Sequence, residues 1–369
     1  MQRLASGLFA AILLTACGES VASDVPAATH DLERPGHIVG FVSEDGLDVV
    51  SIAGAADIEQ GRPITPDTVF HIASLSKQIT AAALAHAILE GHVSLDDPVS
   101  KHVPETAKYG DALTVAHLIY MTSGLTEYTA VPRKGGQPWV TFHYFTVDDA
   151  LKASLSVDAL KFQPGTSWDY SNTNYMLIAK IVEAAYGRAF ADTVEDKLFA
   201  PLGMKASLIH DDVTQIVPDR ANAYIARSAD TLRALRDGAA IQARDGEGLV
   251  QIRRNAPHYG GSGVMTSMAD WALWLEEMLT RKTFGQDFWA LMERTQSFDH
   301  DKTNDAFGLV HGRIGERDTL WYAGGDIDAS SYMIAVPSER VAIACFANDP
   351  SDPCQDRVTD ALKEHFGTR

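Results

Sequence analysis

The spacing of apolar residues along the chain changes from a strand-like to a helix-like period and back again. Near both ends, β-branched and apolar residues form short runs separated by turn signals such as the Ser-Glu-Asp-Gly tetrad at 43–46. Runs of this kind are typical of strands. We therefore predict strands over residues 37–42, 47–54, 68–73, 307–314, 319–322, 330–336 and 341–347.

The middle of the chain shows the spacing of amphipathic helices. After Ser267, large apolar residues recur on one helical face: Trp271, Trp274, Leu275, Met278 and Leu279. Helices are also predicted directly after Ser74, over 114–121, 174–185 and 189–200, and from about Asp356. The charged stretch 228–248 is interrupted by glycines, which predicts a surface excursion.

This order of elements predicts an α+β fold with one antiparallel sheet assembled from both ends of the chain and flanked by helices. Residues 36–73 and 307–369 form the predicted sheet lobe, and residues 74–306 form a large, mainly helical insertion lobe with connecting segments. Ser74 falls where the two lobes meet. Because clefts are usually found at such junctions, we expect the active site there.

The amino-acid composition limits the classes of partner that we expect. The 369 residues are 46% hydrophobic, which is enough to bury a large core. The chain has 31 basic and 49 acidic residues and a net charge of −18, which argues against a nucleic-acid partner. After the first seventeen residues no apolar run approaches the roughly 20 residues that a membrane span requires.

The first residues have the pattern of a secretion signal. Arg3 supplies a basic start, residues 8–14 an apolar segment, and residues 14–17 read Leu-Thr-Ala-Cys, which resembles the bacterial lipobox. We predict a lipoprotein signal peptide over 1–16, lipid on Cys17, and a polar tether over 17–35. The alternative is an ordinary secretory signal with an incidental cysteine. Both predict export towards the periplasm or the cell exterior, and which membrane would hold the lipid stays open.

Two further cysteines remain. Cys345 and Cys354 flank a short loop rich in Asp and Pro. In an oxidising compartment they can form a disulfide, and the alternative is two unpaired thiols. Spacing alone does not decide between these interpretations.

A candidate nucleophile lies at the end of the third predicted strand. Phe-His-Ile-Ala-Ser-Leu-Ser-Lys, residues 70–77, places Ser74 in a first helical turn, where unpaired backbone N–H groups favour developing negative charge. Lys77 lies three residues later on the same face and can reach the serine hydroxyl. This is the Ser-x-x-Lys arrangement. The alternative is an exposed helix start with a capping serine.

Two other segments carry polar groups suited to the same cleft. Tyr170 and Asn172 lie at a loop-to-helix junction, where a phenol and an amide can both point into a cleft. The alternative, which is locally the commoner arrangement, is a core tyrosine beside a capping asparagine. The strand ending Trp-Tyr-Ala-Gly-Gly-Asp, residues 321–326, brings paired glycines to a place where a ligand backbone can approach, although a simple turn is the alternative.

Together, in this order, the three segments resemble the serine beta-lactamase and penicillin-binding protein superfamily, specifically its class C beta-lactamase-related esterase branch. The resemblance extends over about residues 37–369 and includes 93–105, 113–125, 170–183 and 260–271. It implies a beta-lactamase-like fold. It further implies that Ser74 is acylated, that Lys77 and Tyr170 transfer protons as a pair, and that Asn172 orients the substrate and holds Lys77.

The resemblance also implies an oxyanion hole built from the backbone N–H groups of Ser74 and Gly325, with Gly324 and Gly325 lacking side chains that would block the approach. Whether Lys77 or Tyr170 is the general base stays open. Where most of the family has lysine or histidine, this chain has Tyr322 at the cleft edge. Because that cation binds the substrate carboxylate, its absence disfavours beta-lactams and D-alanyl peptides.

We therefore expect a serine hydrolase acting on a small ester or amide, in the manner of a carboxylesterase. The alternatives are a beta-lactamase or D-alanyl-D-alanine peptidase-like enzyme, and a non-catalytic lipoprotein that binds cell-wall peptides. Aromatic residues within 128–145 either line an acyl pocket or pack the helical lobe. No cofactor and no metal are expected, since the histidines include no His-Glu-x-x-His and 299–305 lacks the glycine of a calcium loop. The oligomeric state stays open.

Overall fold

The computed structural model describes residues 31–133, 136, 139, 143–233, 246–296 and 305–367. The predicted signal peptide, Cys17, most of the tether and part of the 228–248 stretch lie outside the described residues.

The strands in chain order are β1 His37–Ser43, β2 Gly46–Ala53, β3 Ala55–Asp57, β4 Arg62–Pro63, β5 Val69–His71, β6 Leu208–Ile209, β7 Ala223–Ala226, β8 Leu249–Ile252, β9 Val264–Ser267, β10 Val310–Ile314, β11 Arg317–Asp326, β12 Ala329–Val336 and β13 Val341–Ala347. The early hairpin and the last strand lie where they were predicted. The short strands β6 to β9 were not predicted.

The helices are α1 Ser76–Leu89, α2 Val115–Ile119, α3 Val147–Ser154, α4 Asn172–Tyr186, α5 Phe190–Val194, α6 Ala200–Leu202, α7 Met268–Thr280, α8 Gly285–Met292 and α9 Cys354–Phe366. Short 3-10 turns cover Ala73–Leu75, Val99–Lys101, Pro104–Tyr109, Tyr128–Ala130 and Pro337–Glu339, and a π-helical turn covers Glu195–Phe199. Within the described ranges, no helix has both the length and the apolar character needed to cross a membrane.

The main sheet joins the two ends of the chain. Its six antiparallel strands have the order β10-β11-β12-β13-β1-β2, and β1 pairs with β13 in the register His37 with Ala347. The predicted sheet assembled from both chain ends is confirmed. The strand β10 begins only at Val310, because Gly308 just before it has a positive φ of 65° and interrupts the extended backbone.

Each face of this sheet carries one helix. The helix α9 packs on one face through Val358 and Leu362, and the bond between Cys345 and Cys354 joins its first residue to β13, with 5.4 Å between the Cα atoms. The helix α7 packs on the other face. Gly40 of β1 lies so close to it that a Cβ there would be 2.7 Å from the Met268 sulfur.

The position of α7 corrects the predicted division into lobes. Its residues fall inside 74–306, the range predicted as the helical lobe, but it packs against β1, β2 and β13 of the main sheet. Its apolar stripe includes Trp271 and Trp274, which are fully buried. Periodicity correctly predicted the helix and its buried face. It carried no information about which element would cover that face, because sheet and helix partners demand the same apolar stripe.

The helix α1 passes through the centre of the molecule. Residues 76–85 are all buried, so this helix is enclosed on every side, as expected of one that is apolar all round. The strand β5 leads into it and pairs with β9. Between strand and helix, Ala73 has a positive φ of 47°, a region that non-glycine residues seldom occupy. This turn presents the Ser74 side chain beside the buried start of α1.

Candidate active site

Ser74 lies in the 3-10 turn before α1, and not within the α-helix as predicted. The turn is braced by the strand β12, since the Ser331 hydroxyl donates a 2.8 Å hydrogen bond to the carbonyl of Ile72. The Ser74 side chain is half-buried. Its hydroxyl is therefore held in place at the surface of a closely packed junction.

Lys77 is completely buried, and its ammonium group has three hydrogen-bond acceptors. Its Nζ lies 3.2 Å from Ser74 Oγ, 2.8 Å from Asn172 Oδ1 and 2.6 Å from the carbonyl oxygen of Gly261. An ammonium group has three N–H donors, so all of them are matched. The arrangement fits a protonated lysine at the base of the site.

Tyr170 approaches Ser74 from the opposite side. Its hydroxyl is 2.8 Å from Ser74 Oγ, and Lys77 Nζ lies 4.8 Å from the centre of its ring. Tyr170 is 39% exposed, which leaves the Ser74–Tyr170 pair open to solvent. The structure thus brings together the four side chains that the sequence singled out: Ser74, Lys77, Tyr170 and Asn172.

The junction that carries Tyr170 and Asn172 differs from the prediction in one respect. The helix α4 begins at Asn172, two residues earlier than predicted, and Ser171 is its N-cap, with its hydroxyl accepting from the backbone N–H of Asn174. Because Ser171 performs the capping, the Asn172 side chain is released to reach Lys77. The interpretation of Asn172 as a mere capping residue is therefore wrong.

Glu127 orients this junction, and sequence reasoning missed it. One carboxylate oxygen accepts from the Ser171 hydroxyl at 2.8 Å and from the backbone N–H of Thr173 at 3.0 Å, and the other accepts from Asn172 Nδ2 at 3.3 Å. A carboxylate only accepts, so it draws the amide NH₂ of Asn172 towards itself and leaves the amide oxygen facing Lys77. The acidic residue after Ser-Gly-Leu-Thr gave no local signal of this role.

A glycine-rich loop supplies the third acceptor of Lys77. Gly260 has a positive φ of 89°, and a Cβ there would lie 2.5 Å from the carbonyl oxygen of Tyr175. The Thr80 hydroxyl donates to the carbonyl of Gly260 at 2.7 Å. These contacts hold the next carbonyl, that of Gly261, against Lys77. The repeated glycines at 260, 261 and 263 were the available signal for this close approach.

The two glycines at the end of β11 differ in their surroundings. A Cβ on Gly324 would lie 2.3 Å from Ser331 Oγ, 2.6 Å from the Ile72 carbonyl oxygen and 3.1 Å from the Ser74 backbone nitrogen. Gly324 is therefore required for the strand to pass beside the Ser74 turn. A Cβ on Gly325 would meet nothing within 4 Å. These distances are to protein atoms, so the expectation that the two glycines leave the substrate's approach open stays a prediction.

Tyr322 lies on the strand β11 near Tyr170. It is 8% exposed and its ring belongs to the main core, because alternate side chains of β11 face inward together with Gly324. Burial, and then the neighbouring Tyr170, raise the pKa of Tyr322 well above its ordinary value, so the phenol stays neutral. Tyr322 is thus a largely buried, neutral residue beside Tyr170, and its role in substrate binding stays a prediction.

The aromatic residues of 128–145 pack mainly against one another. Tyr128 and Phe145 are buried, and Trp139 contacts both with ring centroids 5.2 and 5.0 Å away. His258 lies edge-on to Tyr128 at 5.4 Å. Packing accounts for Tyr128, Trp139 and Phe145, whereas Tyr144 is 62% exposed. Phe142, which belonged to the predicted acyl pocket, lies outside the described residues.

A second group of titratable residues lies next to the strand that leads to Ser74. His71, Asp326 and Asp328 bring potential metal ligands within 4.8 Å of one another. Their partners are protein groups: His71 Nδ1 is 2.8 Å from Asp328 Oδ1, and Arg254 Nη1 is 3.8 Å from Asp326 Oδ2. Since Arg254 also contacts His71 Nε2, a guanidinium already supplies the positive charge at this position.

The antiparallel sheet, the buried helix with Ser-x-x-Lys at its start and the adjoining Tyr-Ser-Asn segment define the class of serine beta-lactamases and penicillin-binding proteins. A comparison with protein families supports the same conclusion. The family model described as Beta-lactamase matches residues 23–365, and the chain belongs to this family.

The relatives and solved structures that this chain resembles carry names of different kinds of protein. A D-aminopeptidase of Gluconobacter oxydans (strain 621H) is 26% identical over 336 residues, covering 90% of this chain and 59% of the relative. Esterase EstB of Burkholderia gladioli is 34% identical over 163 residues, 41% of either chain. An octameric penicillin-binding protein homologue from Pyrococcus abyssi has a TM-score of 0.75 at 23% identity, covering 91% of this chain and 74% of that one.

These comparisons describe the chain at the level of its superfamily. The solved structure shares the fold. The matched segments span 59% of the aminopeptidase and 41% of the esterase. Its membership in a superfamily of serine hydrolases that includes aminopeptidases, esterases and penicillin-binding proteins is shown by the match.

Proposed function

We propose that the protein is a hydrolase that forms an acyl-enzyme on Ser74 and acts on a small ester or amide. The observation that carries the proposal is the contact of Ser74 Oγ with both Tyr170 Oη, at 2.8 Å, and Lys77 Nζ, at 3.2 Å. A serine hydroxyl is a weak nucleophile near neutral pH, and a base already in hydrogen-bond contact removes that limitation.

In the first half-reaction Ser74 Oγ bonds to the acyl carbon while its proton passes to Tyr170, which must therefore enter the step as the phenolate and become the neutral phenol. We assign the acceptor role to Tyr170 because the three acceptors around Lys77 favour its ammonium form, which then serves as countercharge. The carbonyl electron pair moves onto oxygen, where the backbone N–H groups of Ser74 and Gly325 stabilise it. The proton then moves from Tyr170 to the oxygen or nitrogen atom of the leaving group. At the same time the bond between that atom and the acyl carbon breaks, which releases the alcohol or amine.

In the second half-reaction water takes the place of the leaving group. Tyr170 accepts a proton from the water as the water oxygen bonds to the acyl carbon, and the same proton returns to Ser74 Oγ when the acyl–oxygen bond breaks. The products are a carboxylic acid and the free enzyme. Asn172 keeps Lys77 in position throughout both steps.

The proposed substrate preference follows from charge. A carboxylate-bearing substrate gains from a cationic partner, and the neutral Tyr322 offers none. An ester lacks that requirement. An amide of a D-amino acid is the second candidate, supported by the relative named D-aminopeptidase. A beta-lactam, a D-alanyl peptide and a non-catalytic peptide-binding role are the remaining candidates.

Initial rates with three chromogenic substrates distinguish these candidates. We expect p-nitrophenyl acetate to be hydrolysed faster than D-alanine p-nitroanilide, and the anilide faster than a chromogenic cephalosporin. The Ser74→Ala protein is the control for each. Faster cleavage of the cephalosporin or the anilide would refute the ester preference and leave the acyl-serine mechanism standing. Failure of all three substrates would support the non-catalytic role.

We also propose that the protein is exported and anchored by lipid on Cys17, on the strength of the Leu-Thr-Ala-Cys tetrad. Fractionation of cells that express the Cys17→Ser protein tests this. The substituted protein is expected in the soluble exported fraction, whereas the parent remains with membranes. Membrane association that survives the substitution would refute the lipid anchor.

A further inference from the structure

A cavity of about 370 Å³ opens beside β5, on the strand that leads to Ser74. None of the four proposed active-site side chains lines it. Its polar lining includes two arginines, Arg220 and Arg253, together with His71 and Asp328. The backbone around Arg220 is tied to β5, since Ala221 N–H donates to the Val69 carbonyl at 2.8 Å. The cavity is therefore a built part of the fold.

Several donors of the arginines at this cavity have no acceptor among the described residues. Arg253 is exposed and has no hydrogen-bond or ion-pair partner among the described residues. Arg220 is half-buried, and its Nη1 is enclosed without an acceptor in the same part of the chain. Behind them Arg254 is 3% exposed, and neither its Nε nor its Nη2 has an acceptor among the described residues. Enclosed donors of this kind cost free energy until an acceptor reaches them.

The charges near the cavity do not balance. Three guanidinium groups, those of Arg220, Arg253 and Arg254, face two carboxylates, Asp326 and Asp328. His71 lies between the two sets of charges, with its Nδ1 2.8 Å from Asp328 Oδ1 and its Nε2 in contact with Arg254. A surplus positive charge thus remains beside the cavity in a chain whose net charge is −18.

The pKa values of neighbouring groups are shifted in the direction that a positive local potential produces. Burial, followed by Arg220 and Arg254, lowers the pKa of His210 to about 4. Burial also lowers the pKa of Arg220; Asp328 opposes this shift, and Arg253 and Arg254 add to it. Burial alone would raise the pKa of Asp328, but His71, Arg254 and Arg220 lower it to about 2. Asp328 therefore stays ionised, and its charge is already engaged by His71.

From the cavity, its unmatched donors and its charge we infer that this is a binding site for a small anion carrying a carboxylate or phosphate group, held by Arg220 and Arg253. Guanidinium groups bind both kinds of oxyanion through paired N–H donors. The volume accommodates a small metabolite and not only an inorganic ion. The site is separate from the proposed hydrolytic centre, and the inference does not depend on the hydrolase activity.

Calorimetric titration of the full-length protein with succinate and with inorganic phosphate tests the site. We expect saturable binding at millimolar or lower concentrations. Tighter binding of succinate would identify a carboxylate ligand, and tighter binding of phosphate would identify a phosphoryl ligand. Either Arg220→Gln or Arg253→Gln should weaken the binding about tenfold, because each removes a charge-assisted hydrogen bond.

Arg313→Gln is the matched control, since this arginine is exposed and contacts Asp318 at 3.2 Å and the carbonyl of Glu316 at 3.3 Å on the surface. Its affinity for both anions should equal that of the parent. Arg253 is exposed, so its substitution leaves the fold intact even if Arg220→Gln impairs folding. The inference is refuted if neither anion shows saturable binding, or if Arg253→Gln binds both as tightly as the parent.

Discussion

Two buried cations near the Ser74 turn differ in how completely their hydrogen bonds are satisfied. Lys77 is fully buried and has an acceptor for each of its three N–H donors. Arg254 is 3% exposed and uses Nη1 on His71 and Ser262, but its Nε and Nη2 have no acceptor within the described part of the chain. The two cations are thus similarly buried, but only Lys77 has an acceptor for every N–H donor.

The difference indicates different tasks. A buried charge whose donors are all matched is held in one geometry, which is what proton transfer at Ser74 requires. A buried charge with unmatched donors, next to a cavity lined by two further arginines, retains the capacity to bind an anion. Substitutions at the two centres should therefore affect different properties, catalysis at Lys77 and stability at Arg254.

The largest expected effect is at the fully paired centre. Lys77→Ala should lower ester hydrolysis by about three powers of ten or more, close to the loss in Ser74→Ala, because members of one proton-transfer unit act together. Steady-state kinetics on p-nitrophenyl acetate measures the loss, and circular dichroism checks that the fold is kept. Lys77→Met provides a control that fills the space without charge. Activity near that of the parent in both variants would contradict the role of Lys77.

Substitution of Arg254, whose donors are only partly matched, is expected to affect stability. Arg254→Gln removes a buried guanidinium group that contacts His71, Ser262 and Asp326, and it should lower the free energy of unfolding by about 3 kcal/mol. Denaturant titration measures this difference. Arg313→Gln, in which a surface pair is removed, should change the value by less than about 0.5 kcal/mol. Equal stability of the two variants would show that Arg254 is not needed to balance the buried carboxylates.

Substitution of Glu127 tests whether a residue beyond the four proposed active-site side chains determines how Lys77 is hydrogen-bonded. In Glu127→Gln the new amide can donate, so Asn172 can turn and present its NH₂ group to Lys77. We expect kcat to fall about tenfold with KM unchanged, together with a shifted pH–rate profile. A structural role alone would leave the pH profile in place. Glu105→Gln, at an exposed glutamate, is the control, and a parental pH profile in Glu127→Gln would exclude the positioning role.

The smallest expected effect concerns substrate choice. Tyr322→Lys introduces a cation beside Tyr170 and should shift the ratio of cephalosporin to ester hydrolysis by about tenfold towards the cephalosporin. The ratio of kcat/KM values is the measurement, because it cancels changes in the amount of active protein. An unchanged ratio would show that charge at this position does not select the substrate.

The parts of the molecule that were predictable are those fixed by local spacing. Ser74 and Lys77 are three residues apart, so one turn brings them together, and β13 matches its predicted bounds because its apolar run is uninterrupted. Glu127, Gly261 and Arg254 were missed or left without a role. Their contacts with Asn172, Lys77 and His71 join residues 45 to 184 positions apart, and no local pattern encodes such distances.

Mass spectrometry of the intact protein and of its peptides after reaction with a fluorophosphonate or with p-nitrophenyl acetate is the most direct test of acylation at Ser74. The account predicts a single adduct on the peptide that contains Ser74, no adduct in Ser74→Ala, and much slower formation in Lys77→Ala. Labelling of Ser74→Ala at the parental rate, or an adduct confined to another residue, would contradict it.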